Sequence, residues 1–156
     1  PSALILKQAR QLDLGIPFGL GVTSVGASAL RLVEPRDVEG FYAETGVVDP
    51  PFSAEAKVRS WAAEVQKRFD IVPDYTAQID YDAMKMLAKV IELFGTDRQA
   101  IVQGLHTIKY RGLDTEYQSD AKGNMNHEAS IVQIRDKKQV PIERGSMPFE
   151  PWSKQP

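Results

Sequence analysis

Ile16-Pro17-Phe18-Gly19-Leu20-Gly21-Val22-Thr23-Ser24-Val25-Gly26 is the stretch that decides the fold. Its first half, Ile16 to Val22, is short and apolar and suits a buried strand. Its second half is a loop of Gly, Ser and Thr. The loop leads into a short helical run, Ala27 to Val33, which must stop before Pro35 because the residue preceding a proline disfavours helix. Upstream, Ser2 can cap a helix reaching about Leu14, with Leu4, Ile5, Ala9 and Leu12 on one side and Gly15 suited to the left-handed position after its end. Downstream, Val38 to Val48 reads as a second strand, broken by Asp49-Pro50-Pro51. Helix, strand, helix, strand in one run is the α/β pattern.

Helices dominate the middle of the chain. Ser53 opens one whose Val58, Trp61, Ala62, Val65 and Phe69 make a continuous stripe. A second starts near Asp80 and carries Met84, Leu87, Ala88, Ile91 and Phe94, with Gly95 after it. Thr96-Asp97-Arg98-Gln99 is a capping box for a third, running to about Lys109. Gly112 marks a change of regime. Beyond it come Thr115-Glu116-Tyr117-Gln118, a turn at Asp120 to Asn124, the strand Ser130 to Ile134, a turn at Asp136 to Gln139 and a last strand near Val140. The tail from Arg144 holds three prolines and reads as loose. Roughly four strands for about five helices is a shortage of sheet, which points to a part of a larger fold or to a partner chain.

Composition narrows the function classes. With 156 residues the prior is one domain. Lys plus Arg total 19 against 21 Asp plus Glu, so the chain lacks the basic excess of a nucleic-acid or anionic-membrane binder. No apolar run is long enough for a membrane span. Cysteine is absent, which excludes disulfides, thiolate catalysis and cysteine-held zinc.

Few residues could carry chemistry. Gly19-Leu20-Gly21 follows a strand, but the third glycine of a dinucleotide fingerprint would fall at Ser24, and no Walker lysine follows. Small hydroxyl residues and free N–H groups at a strand's carboxyl end instead suit a small polar ligand, which makes Gly21, Thr23 and Ser24 candidates. His106 and His127 are far apart and have no metal-ligand spacing. No nucleophile elbow exists. Asp80 and Asp82 flank Tyr81 at an expected helix start, where carboxylates favour the dipole. Trp61, Met84 and Met86 are helix-face residues. Glu39, beside Gly40 at the mouth of a strand, is an acidic candidate or a strand-end charge. No enzyme, metal site or cofactor is expected.

Several stretches in order resemble one family. Tyr81-Asp82-Ala83 with its following helix and Gly95 resembles the "YDA" helix of type I periplasmic solute-binding proteins, the leucine/isoleucine/valine-binding relatives that serve ABC transporters. Leu4 to Arg10 before a Gly and a Pro-led strand resembles that family's second-lobe helix and strand. Glu39-Gly40-Phe41-Tyr42 resembles its "EG" strand opening. Ser119-Asp120-Ala121-Lys122-Gly123-Asn124, followed by Ile131-Val132-Gln133-Ile134 and a charged hairpin, resembles its ending.

The resemblance implies a two-lobed α/β fold of parallel sheets flanked by helices, of which this chain is the carboxyl-terminal half, the amino-terminal half being absent. Residues 1–50 would belong to lobe two, 53–112 would be lobe-one helices, and 113–156 would return to lobe two and end in a tail. It implies non-catalytic binding of a small solute in the cleft between lobes, an amino acid of branched-chain type or a related small organic acid. Glu39 would meet the ligand's α-ammonium, with Gly21, Thr23 and Ser24 at its other polar end. Partners would be an ABC permease and the missing half or a second chain, in the periplasm or attached outside a membrane. The alternative is a ligand-sensing receptor or regulatory module of the same fold.

Overall fold

The computed structural model of the protein describes residues 2–13, 19–126 and 129–144. The first helix, α1 (Ser2–Gln11), buries Leu6 and Ala9 and leaves Leu4 and Ile5 exposed, as is Leu12 just after it. Strand β1 (Gly19–Gly21) follows, then a single 3-10 turn (Val22–Ser24) and a four-residue helix α2 (Ala27–Leu30). The expected strand from 16 and the glycine at 15 lie in part outside the described residues.

Helix α2 stops at Leu30, short of the expected Val33, and Pro35 opens the next helix instead of ending that one. It is the first residue of α3 (Pro35–Val38), where its missing N–H costs nothing. Asp37 accepts the Glu34 amide at 3.0 Å and locks that start. The second strand, β2 (Tyr42–Thr45), is therefore shorter than the expected 38–48.

Three long helices come next: α4 (Ala56–Phe69), α5 (Tyr75–Phe94) and α6 (Arg98–Thr107). Each boundary has a local cause. Pro50–Phe52 form a 3-10 turn that delays α4, and Asp70 ends it at φ 54°. Asp74 caps α5 through the Ala77 N–H, one and a half turns before the expected start at Asp80. Asp97, within the expected capping box, takes the amides of Gln99 and Ala100. Strands β3 (Lys109–Arg111), β4 (Glu116–Ser119), β5 (Met125–Asn126), β6 (Ser130–Arg135) and β7 (Lys138–Arg144) complete the chain.

The strands form two sheets. One has the order β1-β2-β6-β7; β1 and β2 are parallel, with Gly19 beside Tyr42 and Gly21 beside Glu44. Strand β6 joins antiparallel to β2, and β7 returns as a hairpin. The other sheet is the antiparallel meander β3-β4-β5. Beyond residue 113, β4 and β5 pair with β3, and β6 and β7 join the first sheet. Asp82 of α5 accepts the Leu113 amide at 3.0 Å and the Tyr117 hydroxyl at 3.2 Å, which holds the β3–β4 connection against that helix.

The core belongs to the first sheet. Leu6, Val25, Leu30, Val33, Val38, Phe41, Ala43, Val48, Val132 and Ile134 form one buried cluster, drawn from both ends of the chain. Phe41 also carries the Arg10 guanidinium over its ring at 4.6 Å. The expected stripe of α5 is turned the other way: Gln78, Asp82, Met86 and Val90 are buried, and Met84 is 65% exposed. On α4, Val58 and Ala62 are buried while Phe69 is exposed.

Candidate ligand-binding site

Two parallel strands present their carboxyl ends together, and in α/β sheets that is where ligands bind. Here β1 ends at Gly21 and β2 at Thr45. From Gly21 the chain passes through the 3-10 turn, whose Val25 and Gly26 amides return to the Val22 carbonyl at 3.1 Å each. Thr23 is exposed and Ser24 half-buried. A Cβ placed on Gly21 would meet nothing within 4 Å, so open space lies over the loop. Gly21, Thr23 and Ser24 are therefore together on one accessible turn.

Glu39 is not with them. It precedes β2, and β1 runs parallel to β2, so it stands at the opposite end of the sheet. Its carboxylate accepts the Asp136 amide at 2.8 Å, in the turn between β6 and β7, and its carbonyl accepts from Arg10. Gly40, at φ 82°, then lets the chain swing so that its N–H reaches the Ile134 carbonyl at 2.9 Å. The Glu39-Gly40 pair ties the start of β2 to the hairpin.

Behind the β2 end lies an apolar chamber of about 460 Å³. Gly46 and Val47 form one wall; Ile79, Met86 and Leu87 of α5, Leu105 of α6 and Tyr117 of β4 form others. Asp82 anchors that region. A Cβ on Gly112 would sit 2.3 Å from its Oδ2, so only glycine fits there. Burial raises the Asp82 pKa against the lowering effect of the Leu113 N–H and the Tyr117 hydroxyl, and burial with the neighbouring Asp82 charge raises Tyr117. Asp82 is a structural acceptor in the helix interior and not a charge at a helix start. Trp61 of α4 leans on Tyr81 with ring centroids 5.2 Å apart.

Two polar residues that sequence reading passed over sit at the junction. Asp49 is fully buried. Its Oδ2 accepts the Ala27 amide at 2.8 Å and its Oδ1 the Tyr75 amide at 2.9 Å. Burial pushes its pKa up to about 6, against the pull of those two N–H groups. Gln139 of β7 accepts the Asp49 amide at 2.8 Å and donates to the Val25 carbonyl at 2.9 Å. The available signal was a carboxylate set in the apolar run Val47-Val48-Asp49-Pro50-Pro51.

Among the described residues, the one serine–histidine approach does not arm a nucleophile. Ser119 Oγ lies 3.5 Å from His106 Nδ1, but the Asp120 carboxylate is committed to the Lys122 and Asn124 amides. Among the described residues no group of three or more His, Cys, Asp or Glu is placed to hold a metal, and no helix is long and apolar enough to cross a membrane. His127 lies outside the described residues.

The sequence profile of the periplasmic binding protein family matches residues 1–139. The chain belongs to that family. A search of curated proteins finds no match. Among solved structures, the chain is similar to a leucine-binding protein from Thermotoga maritima, at 20% identity and a TM-score of 0.75, over 92% of this chain and 41% of that one. A solute-binding protein of an ABC transporter from R. palustris, in complex with benzoate, gives 15% identity and a TM-score of 0.77 over 93% and 40%. A branched-chain amino acid substrate-binding protein from Streptococcus pneumoniae, in complex with isoleucine, gives 15% and 0.71 over 90% and 42%. The chain thus spans about two fifths of the length of these structures and forms part of the type I periplasmic-binding-protein fold. The family and these neighbours are solute-binding proteins, not enzymes.

Proposed function

We propose that the chain is the carboxyl-terminal part of a solute-binding protein that delivers a small amino acid or small organic acid to an ABC permease. The observation that carries this is the open turn Gly21-Val22-Thr23-Ser24 at the carboxyl end of a parallel strand pair in a member of this family. In this reading Gly21 gives the ligand a close approach to backbone, and the Thr23 and Ser24 hydroxyls bond its polar end. Glu39 serves the hairpin, because its carboxylate already has a partner at the far end of the sheet. A complementary amino-terminal half, on this polypeptide or another, supplies the facing lobe and covers the apolar chamber. Closure is driven by contacts the ligand makes to both lobes. Such a protein works in the periplasm or on the outer side of a membrane.

Titration calorimetry on the protein carrying both lobes tests this with leucine, isoleucine, benzoate and their homologues. One of these classes binds with unit stoichiometry. Thr23→Ala and Ser24→Ala each lose one neutral hydrogen bond, about 1 kcal/mol, and so weaken binding roughly fivefold. Absence of binding by either class, or unchanged affinity in both variants, overturns the reading.

A further inference from the structure

Strand β2 carries a glutamate at the end where the Val22–Ser24 turn begins. Glu44 is the register partner of Gly21 across the parallel strands, whereas Glu39 precedes β2 at the other end. Exposure alternates along β2: Tyr42 and Glu44 are exposed, Ala43 and Thr45 buried. Register partners share a face of the sheet, so Glu44 and Gly21 look out on the same side. Neighbouring strands lie about 4.8 Å apart, and a Cβ on Gly21 would meet nothing within 4 Å. The glutamate therefore borders the open space where the turn starts. Its neighbour on the other side is Ile131 of β6, half-buried and uncharged. Among the described residues the Glu44 carboxylate has no ion pair and no hydrogen bond. The acids on either side of it in the chain are occupied: Asp49 gives both oxygens to amides, and Glu39 gives its carboxylate to the hairpin. A glutamate is a poor strand residue, and this one gains no cross-strand partner in return.

We propose that Glu44 reads the charge of the solute: its carboxylate pairs with an ammonium group, so the solute is an amino acid and not an organic acid without an amine. This rests on the solute-binding reading and narrows it to one class. A zwitterion suits the two sides of the opening. The Thr23 and Ser24 hydroxyls donate to its carboxylate, and Glu44 accepts from its ammonium. Gly21 lies between them and leaves the room. An acid such as benzoate would bring a negative charge beside Glu44 with no ammonium to offset it, and like charges at that range repel. A facing lobe that excludes water strengthens both the attraction and the repulsion.

The test is titration calorimetry on the protein carrying both lobes, with two matched pairs of probes: leucine with 4-methylpentanoate, and phenylalanine with 3-phenylpropanoate. Each pair differs only in the amine. The parent binds the amino acid of at least one pair about tenfold or more tightly than its deaminated partner. Glu44→Gln loses that preference by weakening the amino acid and not the acid. Glu39→Gln removes the same charge at the far end of the sheet and keeps the preference. If the parent binds the deaminated acids or benzoate as tightly as the amino acids, or if Glu44→Gln keeps the parent's preference, the role of Glu44 is overturned while the solute-binding reading stands. If neither class binds, both fall. The comparison of pairs on the parent needs no substitution, so it decides the solute class even where Glu44→Gln fails to fold.

Discussion

Asp49 holds a carboxylate in a fully buried position, and its two amide partners do not offset the loss of water. Its pKa rises from 3.8 to about 6. Between those values the folded chain binds a proton that the unfolded chain has released, so stability falls as pH rises through this window. Above pH 6 the ionised form costs roughly 3 kcal/mol at about 1.4 kcal/mol per pH unit. Asp82, raised mainly by burial, acts in the same direction. Thermal unfolding should therefore show a higher Tm at pH 5 than at pH 7.5, and Asp49→Asn should flatten that slope. Equal midpoints at both pH values for the parent would refute the assignment. Glu39 is exposed. Glu39→Gln keeps an acceptor for the Asp136 amide, so it should change stability by about 1 kcal/mol or less and leave solute affinity unchanged. A tenfold loss of amino-acid affinity with an unchanged Tm would restore Glu39 as the ammonium partner. Sequence reading placed Gly21, Thr23 and Ser24 on one turn because strand, glycine and hydroxyls follow one another locally. The resemblance puts Glu39 at a ligand's ammonium and the turn at its other polar end, and nothing local says which end of a strand each occupies; the parallel register of β1 and β2 sets Glu39 and the turn at opposite strand ends.

Element boundaries show where local signals compete. The helix over Tyr75–Phe94 was legible from its stripe and from Gly95, but Asp74, not Asp80, caps it. Both carry the same side chain, and the choice depends on Asp49 reaching the Tyr75 amide from a distant segment. The apolar stripe also pointed the wrong way, since Met84 is exposed and Asp82 buried. A buried carboxylate is acceptable there because the Leu113 N–H and Tyr117 hydroxyl satisfy it. Gly112 makes that approach possible. Gly112→Ala should force the β3–β4 connection away from α5, because its new methyl would lie 2.3 Å from Asp82 Oδ2. Overpacking of this kind costs about 1–3 kcal/mol. Urea unfolding followed by circular dichroism should show the unfolding free energy falling by that amount, with a lower midpoint. An unchanged midpoint would mean that α5 and the β3–β4 connection are not in contact in solution.

At the scale of the whole molecule, burial is uneven. The buried apolar cluster draws only on residues 6–48 and 132–134, all around the first sheet. Helix α4 buries Val58 and Ala62, and α6 buries only Gly104, which sits tight against Val90 and Phe94. Phe69, Ile71, Met84, Leu93 and Val102 are exposed, and the chamber beside Met86 and Leu87 is open on an apolar wall. The expected count of about four strands is too low: seven short strands stand among the described residues, but only the three-stranded meander lies near α5 and α6. Burying apolar surface at about 25 cal/mol per Å² is what holds helices down, and these three bury little. Their opening should therefore lie at the low end of the stability range. Hydrogen exchange of the chain by itself should show amides of residues 56–107 exchanging at least tenfold faster than those of 42–45 and 130–135. A complementary half that covers the chamber should slow the helical amides and leave the first sheet nearly unchanged. Equal, strong protection across both regions in a monomer would mean that the helices close on their own, and the case for a missing cover would fall.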